Sequence, residues 1–117
     1  MDLDLITAAA GRLRGHARET PLLNSPFLDE IAGRPIWVKA ECLQHTGSFK
    51  YRGAFAAISA LSEAQRRKGV LAFSSGNHAQ GAAPVAKQHD TSALIRMPVK
   101  AARIKSSRPT AMRPHVP

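Results

Sequence analysis

The run VLAFSSGNHAQGAAPVAKQHDTSALIRM, Val70 to Met97, narrows the possible folds more than any other part of the chain. Val70 to Ser74 is a short apolar run with the length of a buried strand. "SGN" turns the chain, and the alanine-rich stretch Asn77 to His89 reads as a helix whose small faces allow close packing. Ser92 to Met97 is a second apolar run. A strand, a helix and a strand so closely spaced join as a parallel pair with a right-handed crossover.

The preceding segment extends the pattern. Gly33-Arg34-Pro35 marks a turn, and Ile36 to Ala40 reads as a strand, supported by Trp37 and Val38. Ser48 stands as the N-cap of a helix from Phe49 to Leu61, with Ala54, Phe55, Ile58 and Leu61 on one face. Ser62 and Gln65 form a capping box for a short helix that Gly69 ends. Residues Leu3 to His16 carry an apolar stripe through Leu5, Ala9 and Leu13, and Pro21 follows in an extended segment. The order strand, helix, strand, helix, strand predicts an α/β fold, a parallel sheet in a three-layer arrangement.

Composition fits. Hydrophobic residues make up 44% and aromatics 5%, so the core is expected to be aliphatic and alanine-rich. The acidic start MDLDLITAAA lacks the basic region of a secretory signal. No segment approaches the roughly 18 apolar residues of a membrane span. Cys42 is single, which fits a reducing cytosol and a cytoplasmic location. Net charge is +9, and every acidic residue lies at or before Asp90. The tail beyond it holds Arg96, Lys100, Arg103, Lys105, Arg108 and Arg113. Such a basic tail could bind nucleic acid, but it has no aromatic residue for stacking.

Two residues break the pattern. Pro84 lies inside the expected helix, where it removes a donor at a cost of about 3 kcal/mol. Arg96 interrupts a strand expected to be buried on both faces.

Two stretches carry candidate chemistry. In TGSFK, Thr46 to Lys50, a lysine sits at a helix start beside Phe49. The positive end of the helix dipole and partial burial both favour a neutral, nucleophilic amine able to condense with an aldehyde. The same pattern also fits a solvated helical lysine. In SSGNHAQG, Ser74 to Gly81, the N–H groups of Gly76, Asn77 and His78 open a helix after a strand, as an anion site would. A capped strand-to-helix turn fits equally. The five histidines show no metal-ligand spacing, so no metal is expected.

Taken together, TGSFKYRGA and then SSGNHAQG resemble the threonine/serine dehydratase and serine racemase family. These are pyridoxal-phosphate enzymes of fold type II. Thr20-Pro21-Leu22, Lys39-Ala40-Glu41 and ALIRMP also look like that family. The resemblance implies that Lys50 binds pyridoxal 5'-phosphate covalently, that Phe49 borders it and that Asn77 hydrogen-bonds its phenolic oxygen. It implies that Ser75, Gly76, Asn77 and His78 receive the substrate carboxylate. In racemase-like members, Ser75 is the catalytic proton donor opposite Lys50. The implied reaction removes water from L-threonine or L-serine to give a 2-oxo acid and ammonia, with racemisation of serine as the alternative.

The resemblance also implies longer, homo-oligomeric relatives. Residues 1–45 would then belong to a large cofactor-binding domain and 46–105 to part of a small α/β domain. Residues 106–117 are expected to form a basic, proline-rich tail, either disordered or such as a shifted reading frame would give. The glycine-rich phosphate cradle and the partner of the pyridine nitrogen fall outside this sequence. The chain is therefore expected to be an incomplete fold type II enzyme, inactive alone, or a non-catalytic remnant.

Overall fold

The computed structural model describes residues 2–74 and 76–97. The expectations for the tail 106–117 lie outside the described residues. Helix α1, Leu3–Leu13, starts where the Asp2 carboxylate accepts from the Asp4 N–H at 2.9 Å. Only the end of its apolar stripe is used: Leu13 packs against the core with Ala17, while Leu3, Leu5 and Ile6 are exposed.

Next come β1 (Leu22–Asn24), α2 (Pro26–Ala32) and β2 (Trp37–Lys39). Pro26 opens α2 with its φ already helical, and Gly33 closes it at φ 65°. The Asp29 carboxylate ties the unit together. It accepts from Ile36 N at 2.7 Å and from Asn24 Nδ2 at 2.9 Å. This helical excursion turns the chain back, so β2 pairs antiparallel with β1, Val38 opposite Leu23. The strand at Ile36 to Ala40 therefore exists but does not enter the parallel sheet, contrary to the sequence expectation. The sequence reading had no helix at Pro26–Ala32 to reverse the chain.

Two short 3-10 turns, Glu41–Leu43 and His45–Gly47, lead into α3 (Lys50–Ser59). Helix α4, Glu63–Lys68, has the expected capping box: Ser62 N donates to Gln65 Oε1 at 2.8 Å and Gln65 N to Ser62 Oγ at 3.3 Å. Gly69 then turns at φ +80°. A side chain there would run into the Ser92 hydroxyl, because Val70 N bonds Ser92 O at 2.8 Å.

Strands β3 (Val70–Phe73) and β4 (Ala93–Arg96) are parallel and joined through α5 (Asn77–Gln88), with Ala72 opposite Ile95. Tyr51, Ala54, Phe55 and Ile58 of α3 meet Ala79, Ala82, Val85 and Ala86 of α5 above Ala72, Ala93 and Ile95. The core is rich in alanine, as composition predicts, but two rings enter it. Pro84 does not break α5, which is held through it by its buried neighbours Ala82, Ala83, Val85 and Ala86.

The described residues supply helices to one face of this sheet. Leu71, Phe73 and Arg96 are exposed, so among the described residues no second layer covers Arg96. Other large apolar side chains are also exposed, among them Trp37 at 61% and Phe73 at 73%, with Leu22, Leu23, Phe27 and Ile31. Among the described residues, no helix is long and apolar enough to cross a membrane.

Candidate active site

The approach to Lys50 is strained. Thr46 (φ 63°, ψ 10°) and Gly47 (φ 71°) are both left-handed, and a β-branched residue pays about 1–3 kcal/mol for that region. Ser48 follows in extended geometry, and its carbonyl accepts from Tyr51 N at 3.4 Å. Its hydroxyl does not cap α3, a correction to the sequence reading. Ser48 is buried and its Oγ has no partner among the described residues, nor has Thr46 Oγ1. Lys50 itself begins α3, half-buried, with Nζ 5.0 Å from the Phe49 ring centroid. Phe49 is 58% exposed, so its ring remains available as a wall.

Asn77 and His78 open α5 with exposed side chains, and no side chain of the described residues caps the helix. Gly76 N donates to Ser74 Oγ at 3.2 Å. Ser75 lies outside the described residues. Gly81 brings the two helix starts together. A Cβ on it would stand 3.0 Å from the Lys50 carbonyl carbon and 3.2 Å from Tyr51 N. One turn into α5 the backbones of the two helices are thus in contact, which sets the opening turn of α5 beside Lys50.

The sequence reading missed the polar joint behind this site. Gln44, only 2% exposed, accepts from Arg18 N and His45 N, both at 3.0 Å, and donates to Arg18 O at 2.9 Å. Glu41 accepts from Arg52 Nε (2.9 Å) and Nη2 (2.8 Å) and from Thr20 Oγ1 (2.5 Å). The Arg52 hydrogen bonds hold the Glu41 carboxyl down at about 2 from 4.5; partial burial opposes this, and Thr20 and Lys39 reinforce it. The charges at 41 and 52 follow no helical or strand period, so only their appearance in KAE and KYRGA could have flagged them.

The folded value lies below the unfolded one. The pair's contribution to stability is therefore full above pH 4.5 and disappears as pH falls toward 2. Glu41→Gln is expected to lower stability near neutrality and to flatten this acid limb. Urea titrations across that range check it, and an acid limb unchanged by the substitution would refute the assignment.

Three of the histidines, His16, His45 and His89, pack against aromatic rings. His16 and His89 lie 4.6 and 5.1 Å from the Phe55 ring, and His45 lies 4.8 Å from Tyr51. Among the described residues, no group of three metal-capable side chains converges.

Comparison with known proteins gives this geometry a family. The model of the family described as "Pyridoxal-phosphate dependent enzyme" matches residues 13–116. The chain is 51% identical over 100 residues to an L-threo-3-hydroxyaspartate ammonia-lyase of Pseudomonas sp, covering 86% of this chain and 31% of that protein. It is 46% identical over 96 residues to the L-threonine ammonia-lyase of Thermotoga maritima, covering 82% of this chain and 24% of that protein. The maize serine racemase structure superposes with a TM-score of 0.89 at 37% identity, over 97% of this chain and 35% of that one. The chain thus spans about a third or less of the length of these relatives. A lysine at the start of α3, an uncapped α5 beside it and a fold shared with fold type II enzymes agree with the matched family model: this chain belongs to the pyridoxal-phosphate dependent enzyme family.

Proposed function

We propose that this chain carries the lysine-bearing part of an enzyme that eliminates water from a 3-hydroxy amino acid, yielding a 2-oxo acid and ammonia. The observation that carries the reading is the contact at Gly81, which sets an uncapped helix start beside Lys50. The residues present suit pyridoxal phosphate: a half-buried amine, an exposed ring beside it, and two buried hydroxyls, on Thr46 and Ser48, without partners among the described residues. When bound, that group supplies an electron sink for charge developing at the substrate Cα.

Lys50 would hold it through Nζ and would be the base for the substrate's α-proton. Phe49 would border it, and the Asn77 amide would donate to its phenolic oxygen. The N–H groups at Gly76, Asn77 and His78, with Ser75, orient the substrate carboxylate at the positive end of α5. L-threonine and L-serine are the substrates first expected, and the Pseudomonas relative adds L-threo-3-hydroxyaspartate. The likeness to maize serine racemase supports racemisation as a second reading, with Ser75 as proton donor on the face opposite Lys50. We assign residues 1–45 to the large domain and 46–105 to the small one. We assign the chain to the cytoplasm on its single cysteine, Cys42.

The test uses the chain itself. After incubation with pyridoxal phosphate and reduction with borohydride, peptide mass spectrometry is expected to find the label mainly on Lys50. Lys68 and Lys87 are exposed helix lysines, and Lys39 is tied to Thr20 O at 2.9 Å. Label on any of these in preference to Lys50 would sink the reading.

A further inference from the structure

We propose that the Glu41–Arg52 pair, with Thr20, is a positioning brace for Lys50. It fixes where the amine stands, beyond holding α3 in the fold. This rests on the reading that Lys50 meets the cofactor aldehyde.

Arg52 lies two residues after Lys50 in the first turn of α3. Its guanidinium grips the Glu41 carboxylate as a fork, through Nε and Nη2. Nη2 also donates to Arg18 O at 2.9 Å and reaches Thr20 Oγ1 at 3.4 Å. A two-pronged contact fixes rotation as well as distance, which a point charge does not. The turn is thereby pinned to two separate segments, residues 18–20 and 41.

The need for a pin lies just before Lys50. Left-handed Thr46, with the hydroxyls of Thr46 and Ser48 unpaired among the described residues, makes that approach costly to hold. Without a grip on the following turn, this segment would relax and carry Lys50 with it. Gly81 cannot supply that grip alone, because a glycine contact limits approach but bonds nothing. The brace does not slacken with modest acidification, since Glu41 stays ionised down to about pH 2.

The test compares Lys50 with exposed lysines in the same molecule, after pyridoxal phosphate and borohydride. The readout is the label on Lys50 divided by that on Lys68 and Lys87. Arg52→Ala is expected to cut the ratio about tenfold with helical content retained, since misplacement of a reacting group is costly. Arg52→Lys keeps the charge without the fork and is expected to fall between. Glu41→Gln is expected to resemble Arg52→Ala, and it covers the case in which that variant does not fold.

A purely structural role would loosen the chain and raise labelling at all three lysines alike. An unchanged ratio in folded Arg52→Lys and Glu41→Gln would overturn the brace while leaving the function intact. No Lys50 preference in the unsubstituted chain would overturn both.

Discussion

Gly81→Val is expected to destabilise the chain by about 3 kcal/mol and to erase the Lys50 labelling preference, because overpacking between backbones has nowhere to relax. The first carbon added to Gly81 would already stand 3.0 Å from the Lys50 carbonyl carbon and 3.1 Å from its oxygen. Valine adds two methyl groups to that contact. The obstacle is main chain, not the tip of a flexible side chain, so the two helices must separate where the site is built. Gly53 is the control. It too lies inside a helix, α3, but a side chain there would meet nothing within 4 Å. Gly53→Ala is therefore expected to stabilise by up to about 1 kcal/mol, through helix propensity alone. Urea denaturation of both variants decides the matter. A Gly81→Val chain as stable as Gly53→Ala would mean that α3 and α5 do not depend on this contact.

The contrast between those two glycines shows what could be read from the sequence. The parallel β3–α5–β4 unit was legible because each piece announces itself locally: an apolar run, a turn, an alanine-rich helix, a second run. The capping box at Ser62 was legible for the same reason, since its partners lie three residues apart. Lys50 and the α5 start were legible as motifs, and their positions at helix starts follow from short-range pattern. What brings them together was not. Gly81 looks like any glycine in a helix until α3 lies across it.

The pairing of β2 was misjudged for a related reason. Trp37 and Val38 say strand, but the choice of partner depended on α2, whose Ser25-Pro26 start the sequence reading did not take as a helix. The Ser48 cap failed through geometry. Two left-handed residues in a row bury the hydroxyl that the N-cap pattern would place over the helix end. The Glu41–Arg52 joint pairs opposite charges 11 residues apart on different elements, so no local period marks it.

The 117-residue chain, given pyridoxal phosphate and L-threonine, L-serine or L-threo-3-hydroxyaspartate, is expected to release 2-oxo acid no faster than the free cofactor does. Lys50 begins α3 and Asn77 begins α5, but the chain matches only about a third of the length of its relatives. Positioning contributes about 7–11 kcal/mol to such reactions, and it requires the reacting group to be held on every side. Among the described residues, Phe49 and the opening residues of α5, Asn77 and His78, are exposed rather than enclosed. Leu71 and Phe73 lie exposed on the sheet, and Trp37, Phe27 and Ile31 on the β1–α2–β2 unit. Surfaces of this kind favour self-association over an ordered pocket. The experiment measures 2-oxo acid formation for the chain, for Lys50→Ala and for cofactor alone, with light scattering to follow assembly. All three rates are expected to coincide even though Lys50 takes the borohydride label. Turnover well above free cofactor and abolished by Lys50→Ala would mean that these residues, or their self-assembled form, complete a working site.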